Sequence, residues 1–322
     1  MSGTVVALVN GEALAGGHGS TISEQKANAR ELADGLSPLL SAEIKLAVLH
    51  GNKPQVGFVL FRSEVASHAL HAIPLDVCGA DTQGATGYMI SQALRNTLTH
   101  HQVDRQVVCL LTQTLIEAGS LDQAPLKAIG PWFDRDKAEQ YRQSRKWKIV
   151  EEPGRGYRRA VPSLPPIKIF EMDAIKSLVD TGNIVIAAGG GGIPVKYSPQ
   201  GALEGIEAVI DTEQVACMVA QEVKANILMM IVDRDDKFIR AGLVMDRPNV
   251  LSLEKLDEIL KQETIHSSTV QISLRSASEF LHSGGEQVMI SSLAKLPGNL
   301  ANKSGLRIGS PRPSIELFGV NA

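Results

Sequence analysis

IKLAVLHGNKPQVG, residues 44 to 57, is the stretch on which the fold turns. Ile44 to Leu49 is a nearly unbroken apolar run, the pattern of a strand buried on both faces rather than one with a wet side. It passes directly into His50-Gly51-Asn52, where a glycine lets backbone come close to a ligand. The next residue is Lys53, long and charged. That lysine either belongs to a site's chemistry or marks a site that has been remodelled.

The same pattern recurs along the chain. Val5 to Val9, Val107 to Thr112, Ile184 to Ala188, Ile227 to Val232 and Gln287 to Ile290 read as further buried strands bounded by Gly, Asn, Asp or polar turns. Between them lie helical patterns at Ser23 to Leu40, Gly84 to His100, Met172 to Asp180, Thr212 to Val223, Ser252 to Gln262 and Leu274 to His282. Alternating strands and helices predict an α/β fold, a mostly parallel sheet sandwiched between helices. Residues 125 to 166 break this rhythm with Trp132, Phe133, a charged stretch and a Pro/Gly/Arg-rich segment. They are too long for an ordinary loop, and their aromatics predict an ordered, projecting lid.

Composition narrows the function classes. The chain has 322 residues, 43% of them apolar, so it can bury a full core. A net charge of −3 without basic blocks argues against nucleic-acid binding. The N-terminus MSGTVVALVN lacks a signal-peptide pattern, and no apolar run has the length of a membrane span. The expectation is a cytoplasmic protein without a membrane partner. Cys78, Cys109 and Cys217 are widely spaced and read as reduced core thiols. His100-His101 ends a helical pattern and reads as a solvated terminus, so no metal site is expected.

Open α/β sheets gather ligands beyond the carboxyl ends of their strands. Three glycine turns fall there: Asn10-Gly11-Glu12, Gly51-Asn52-Lys53 and Gly189-Gly190-Gly191-Gly192. Each alone could be a bare turn; together they predict a phosphate or other anion site. The four-glycine run comes late and enters Ile193-Pro194, which does not suit a dinucleotide fingerprint, and a Walker A pattern is absent.

These motifs, with Pro74-Leu75-Asp76-Val77-Cys78-Gly79-Ala80, Gln83-Gly84, Gly87-Tyr88-Met89, Thr112-Gln113, Lys127, Ile129-Gly130-Pro131 and Gly154-Arg155-Gly156-Tyr157-Arg158-Arg159, resemble those of the carbamate kinases of the amino-acid kinase family. The resemblance runs from the first strand to about Ile308. It implies one domain over residues 1 to 322, with an open sheet of about eight mainly parallel strands. It divides the chain into an acid- and phosphate-holding lobe to about residue 205, carrying the lid at 125 to 166, and a nucleotide lobe from about 206. It also implies a homodimer, ADP or ATP with Mg2+ where nucleotide binding is retained, and phosphoryl transfer between ATP and carbamate.

The departures from the family pattern are at the chemistry. Where relatives carry Gly-Gly-Asn this chain has Asn10-Gly11-Glu12, and where they carry His-Gly-Asn-Gly it has Lys53. The two family lysines that hold the transferring group fall on Thr212 and, without gaps, Ser273. Losing one such donor costs roughly 100- to 1,000-fold in rate, about 3–4 kcal/mol. A Glu12 carboxylate about 4 Å from a phosphate oxygen adds roughly 4 kcal/mol of repulsion at an effective dielectric of 20. Glu12 must then be turned away, protonated or paired, and Lys53 is the expected partner.

The candidate catalytic residues are therefore Lys53, Lys127 and Asp211. Substrate or phosphate binding falls to Asn10, Gly11, Glu12, Gly51, Asn52, Lys53, Arg155, Arg158 and Gly189 to Gly192, and nucleotide binding to Asp211, Thr212, Asp233, Asp235 and Lys237. Arg155, Arg158 and Arg159 suit carboxylate or phosphate recognition, or else brace Glu151 and Glu152. The expected function is a carbamate kinase-like protein that binds a small anionic ligand, with phosphoryl transfer weak or lost, serving as a regulatory, binding or assembly subunit for a protein partner. The alternatives are an active kinase with Lys53, Lys127 or Lys237 as substitute cations, and a remodelled carbamoyl-transfer enzyme.

Overall fold

The computed structural model describes residues 3–16, 21–41, 43–117, 121–152, 154–233, 238–239, 242–243, 245, 249–262, 265, 268–311 and 313–314. Its centre is an eight-stranded sheet. In spatial order the strands are Asn249–Leu251, Leu306–Gly309, Gln287–Ser292, Ile227–Val232, Gly3–Val9, Ile44–His50, Ile184–Ile186 and Val107–Cys109. Every neighbouring pair is parallel except Gln287–Ser292 with Leu306–Gly309. All six strands expected from the apolar runs take part; the two at one edge were not anticipated.

The strand alternation builds two cores. Val6, Leu8, Ala47, Leu49, Leu228 and Met230 face one side, with residues of Met172–Asp180, Thr212–Glu222 and Ser268–His282. Val5, Ala7, Val9, Leu46, Val48 and Met229 face the other, with residues of Ile22–Gly35 and Leu75–His100. Both faces are therefore apolar, which is why the strands read as continuous runs.

Several boundaries differ from expectation for local reasons. The Ile184 strand ends at Ile186 rather than Ala188, and Ala188 has turned into the left-handed region at φ +50° to enter the glycine run. Val107 to Thr112 is not one strand: it stops at Cys109, and Gln113–Ile116 joins a separate four-stranded sheet. Thr112 marks the change, because its N–H donates to Gln83 Oε1 and its carbonyl accepts from Gln83 Nε2. The long helix starts at Leu75, just after Pro74, not at Gly84. Lys53 opens a helix of its own, Lys53–Val65, with proline in the first turn as that position tolerates.

The segment expected as a lid is ordered. Leu126–Phe133, Ile149–Glu152 and Gly156–Pro162 form a three-stranded sheet of their own, with the helix Arg135–Arg145. Phe133, Tyr141 and Trp147 pack edge-to-face or tilted against one another and against Phe61 of the Lys53 helix. Those contacts tie this sheet to the element that carries Lys53.

Candidate functional site

The three glycine turns meet at the carboxyl end of the central sheet. Asn10 donates its N–H to Ile231 O at 2.7 Å and Gly51 donates to Val9 O at 2.8 Å, so each turn extends a strand pairing. A Cβ on Gly11 would lie 2.7 Å from the Gly51 carbonyl carbon, so this backbone approach requires glycine. Asn10 caps the short helix Gly11–Ala15 by accepting from Glu12 N at 2.8 Å. Gln55 donates to Gly11 O at 3.1 Å, and Asn52 to Thr82 Oγ1 at 2.7 Å, which fixes the second turn. Gly189 and Gly190 pack against His50 and Asn52.

His50 is 1% exposed, and burial, only partly opposed by the adjacent Gly51 carbonyl, pushes its pKa down to about 4. It is a neutral residue of the turn at physiological pH.

The charged side chains assemble differently from the expected Lys53–Glu12 pair. Lys53 Nζ lies 3.4 Å from Asp211 Oδ1, and Lys127 Nζ lies 3.3 Å from the same oxygen. Glu12 is met instead by the lid: Arg158 Nη1 at 3.4 Å and Arg155 Nη1 at 4.0 Å. Arg158, 3% exposed, also contacts Glu152 Oε1 at 3.4 Å and donates to Gly130 O at 3.1 Å. Arg155 and Arg158 both stack on Trp132. Arg159 pairs with Glu64 away from the glycine turns. The alternative reading of the arginines as internal braces thus holds for Glu152 but reaches Glu12 as well.

Lys53 keeps about a third of its side chain in solvent, at 31%. Burial works against its charge, but Glu213, Asp211 and Glu12 outweigh it and raise its pKa above the ordinary lysine value. Lys53 is therefore a held ammonium, not a nucleophilic amine.

A cavity of about 50 Å³ lies between the turns, lined by Leu8, Asn10, Gly11, Glu12, Gly51, Lys53, Thr212 and Glu213. Thr212 thus occupies the cavity wall at the start of its helix. Ser273 is buried within Ser268–His282. Asp233 follows the strand Ile227–Val232, while Asp235 and Lys237 lie outside the described residues. Glu213, Gln55 and Thr82 were missed by sequence reasoning; only Glu213 carried a signal, as an acid two positions after Asp211. Among the described residues no group of three or more His, Cys, Asp or Glu side chains is placed to hold a metal ion. No described helix is long and apolar enough to cross a membrane.

Comparison with known proteins shows the family and the fold. The sequence model of the Amino acid kinase family matches residues 17–292. The chain is 34% identical to carbamate kinase of Pyrococcus horikoshii over 310 residues, spanning 94% of this chain and 98% of that one. It is 33% identical over 318 residues to the carbamate kinase-like protein YahI of Escherichia coli, spanning 96% and 99%. Carbamate kinase from Giardia lamblia bound to citric acid superposes with a TM-score of 0.86 at 28% identity, over 96% of this chain and 99% of that one. The AMP-PNP-bound form of that enzyme gives 0.80 at 28% identity, over the same 96% and 99%. The chain belongs to the amino acid kinase family. Within that family it is a carbamate kinase-like protein.

Proposed function

We propose that this carbamate kinase-like protein keeps a ligand site but transfers a phosphoryl group between ATP and carbamate weakly or not at all, and acts as a binding, regulatory or assembly subunit. The supporting observation is that the four cations at the glycine turns are already engaged: Lys53 and Lys127 by Asp211, Arg155 and Arg158 by Glu12. Phosphoryl transfer is carried mainly by positioning and by neutralising charge on the group in flight. A cation held by the protein's own carboxylate must first be freed. With Thr212 and Ser273 at the two family lysine positions, two losses of roughly 100- to 1,000-fold each bring turnover near background.

Two further parts belong to the same proposal. Nucleotide, where held, is ADP or ATP with Mg2+ on the Asp211, Thr212 and Asp233 side, in a lobe from about residue 206; a structural relative is bound to AMP-PNP. The molecule is a homodimer.

A working kinase is the second reading, and one observation favours it: Lys53 and Lys127 converge on a single carboxylate at the site, within reach of an anion that displaced it. Isothermal titration with Mg-ADP and with carbamoyl phosphate, followed by ATP formation in wild type and Lys53→Gly, separates the two. Binding without turnover is expected. ATP formation that collapses in Lys53→Gly would overturn the proposal and make Lys53 a substitute cation. Absence of binding would remove the ligand role.

A further inference from the structure

A cavity of about 390 Å³ lies between the helix Ile22–Gly35 and the turn at residues 293 to 297 that follows the strand Gln287–Ser292. It shares no lining residue with the cavity of about 50 Å³ at the glycine turns, and it has the size of a small-molecule site, roughly 300–1,000 Å³. Packing fixes its width. At one end the two elements are in tight contact: a Cβ on Gly35 would lie 2.8 Å from Leu296 Cδ2, and Leu293 and Leu296 are buried in the core that the helix shares. Beyond that contact they part, leaving Ala27, Arg30, Glu31 and Asp34 on one wall and Leu293, Ala294 and Pro297 on the other.

The four helix residues stand at i, i+3, i+4 and i+7, one stripe of the helix surface. A stripe turned toward a neighbouring element is ordinarily apolar; this one carries three charged side chains and an alanine. The fold does not consume those charges. Arg30 and Glu31 make no ion pair or side-chain hydrogen bond among the described residues, and the Asp34 carboxylate accepts from Thr97 Oγ1 at 3.4 Å. Arg30 and Asp34 are one turn apart, close enough for a direct pair, but an arginine ahead of its acid is the weaker order and no such pair forms.

Two carboxylates and one guanidinium therefore face an apolar wall, with one negative charge in excess. A polyanion entering here meets two like charges and a single partner. An uncharged apolar molecule would take water from all three groups and return no hydrogen bond, which costs free energy at each. A molecule with one carboxylate and two ammonium groups pairs with all three, and a short aliphatic stem between them covers the apolar wall. We infer that this cavity binds a diamino carboxylic acid, its carboxylate on Arg30, its ammonium groups on Glu31 and Asp34, and its methylenes against Leu293 and Pro297. The inference holds whether or not phosphoryl transfer survives at the glycine turns.

L-Lysine, L-norleucine and cadaverine share one carbon stem and test the three contacts on the full-length chain: norleucine lacks the second ammonium and cadaverine the carboxylate. Saturation-transfer NMR titrations at fixed ionic strength should place lysine at least about threefold above each of the others, the scale of one exposed ion pair. Arg30→Gln should bring lysine down to the level of cadaverine, and Glu31→Gln should bring it toward norleucine. Ala27→Phe, which fills the cavity and leaves every charge in place, should abolish lysine binding. All three positions are exposed, so these variants keep the fold. Equal binding of the three probes would overturn the inference, as would lysine binding unchanged in Ala27→Phe or in Arg30→Gln, or no saturable binding of lysine.

Discussion

Lowering the pH from 7 to 5 should destabilise this fold by about 2 kcal/mol through His50 alone. The imidazole is 1% exposed at the end of the second strand and has a folded pKa of about 4 against an unfolded value near 6.5. Because the folded pKa is the lower one, the unfolded chain binds the proton first. Stability is full above about pH 6.5 and falls as the pH drops toward 4, where the whole difference, about 3 kcal/mol, has been lost. Urea unfolding at pH 7, 6 and 5 would measure it, with His50→Gln as the reference that carries no titrating ring. Acid also protonates carboxylates throughout the molecule, so the informative quantity is the difference between wild type and variant in their pH dependence. An excess loss of about 2 kcal/mol in wild type is expected. Equal losses would mean that the imidazole is protonated inside the fold, and the argument from its burial would be wrong.

Two other outcomes follow from the site's packing. Glu12→Gln removes a carboxylate from Arg158, leaving that buried guanidinium with Glu152 and the Gly130 carbonyl. Since Glu12 is partly exposed and one carboxylate remains, the cost should fall below that of breaking a fully buried pair, at about 1–3 kcal/mol in urea unfolding. Titration with inorganic phosphate should show tighter binding than in wild type; unchanged affinity would show that Glu12 is not what opposes anions. Gly57→Ala should lower stability by about 3 kcal/mol or more, read by thermal unfolding, because the added carbon falls inside the Gly130 backbone, which has no side chain to move aside. A variant as stable as wild type would refute that close approach.

The sheet was legible because both of its faces are buried, which writes six strands into the sequence as apolar runs. The strands Asn249–Leu251 and Leu306–Gly309 were not, being short segments at one edge of the sheet with mixed burial. The Leu75 helix was read nine residues short because Gly79 and Gly84 weaken its propensity, and tertiary packing overrides that. The meeting of the glycine turns was also legible, since strand ends in a parallel sheet share a side. Which charges pair was not. Lys53 and Glu12 lie in adjacent turns, and nearness in the sheet suggested a pair, but Arg155 and Arg158 come from the lid, whose docking no local pattern encodes.

That docking has a consequence for any ligand. Lys127, Arg155 and Arg158 belong to the lid, while Glu12 and Asp211 belong to the sheet end, so the ion pairs that neutralise the site also join the two parts. A group that binds by taking over Arg155 and Arg158 must break a lid contact to do so, and its affinity is reduced by whatever that contact contributes. A group that binds between Lys53 and Glu213 leaves both arginine pairs in place. The Glu12–Arg155 pair joins partly exposed side chains and is screened by salt, whereas a neutral ligand is little affected by screening. Rising ionic strength should therefore weaken an anion's hold on the arginines while leaving a neutral ligand's affinity nearly unchanged, and that difference distinguishes the two modes of binding within one protein.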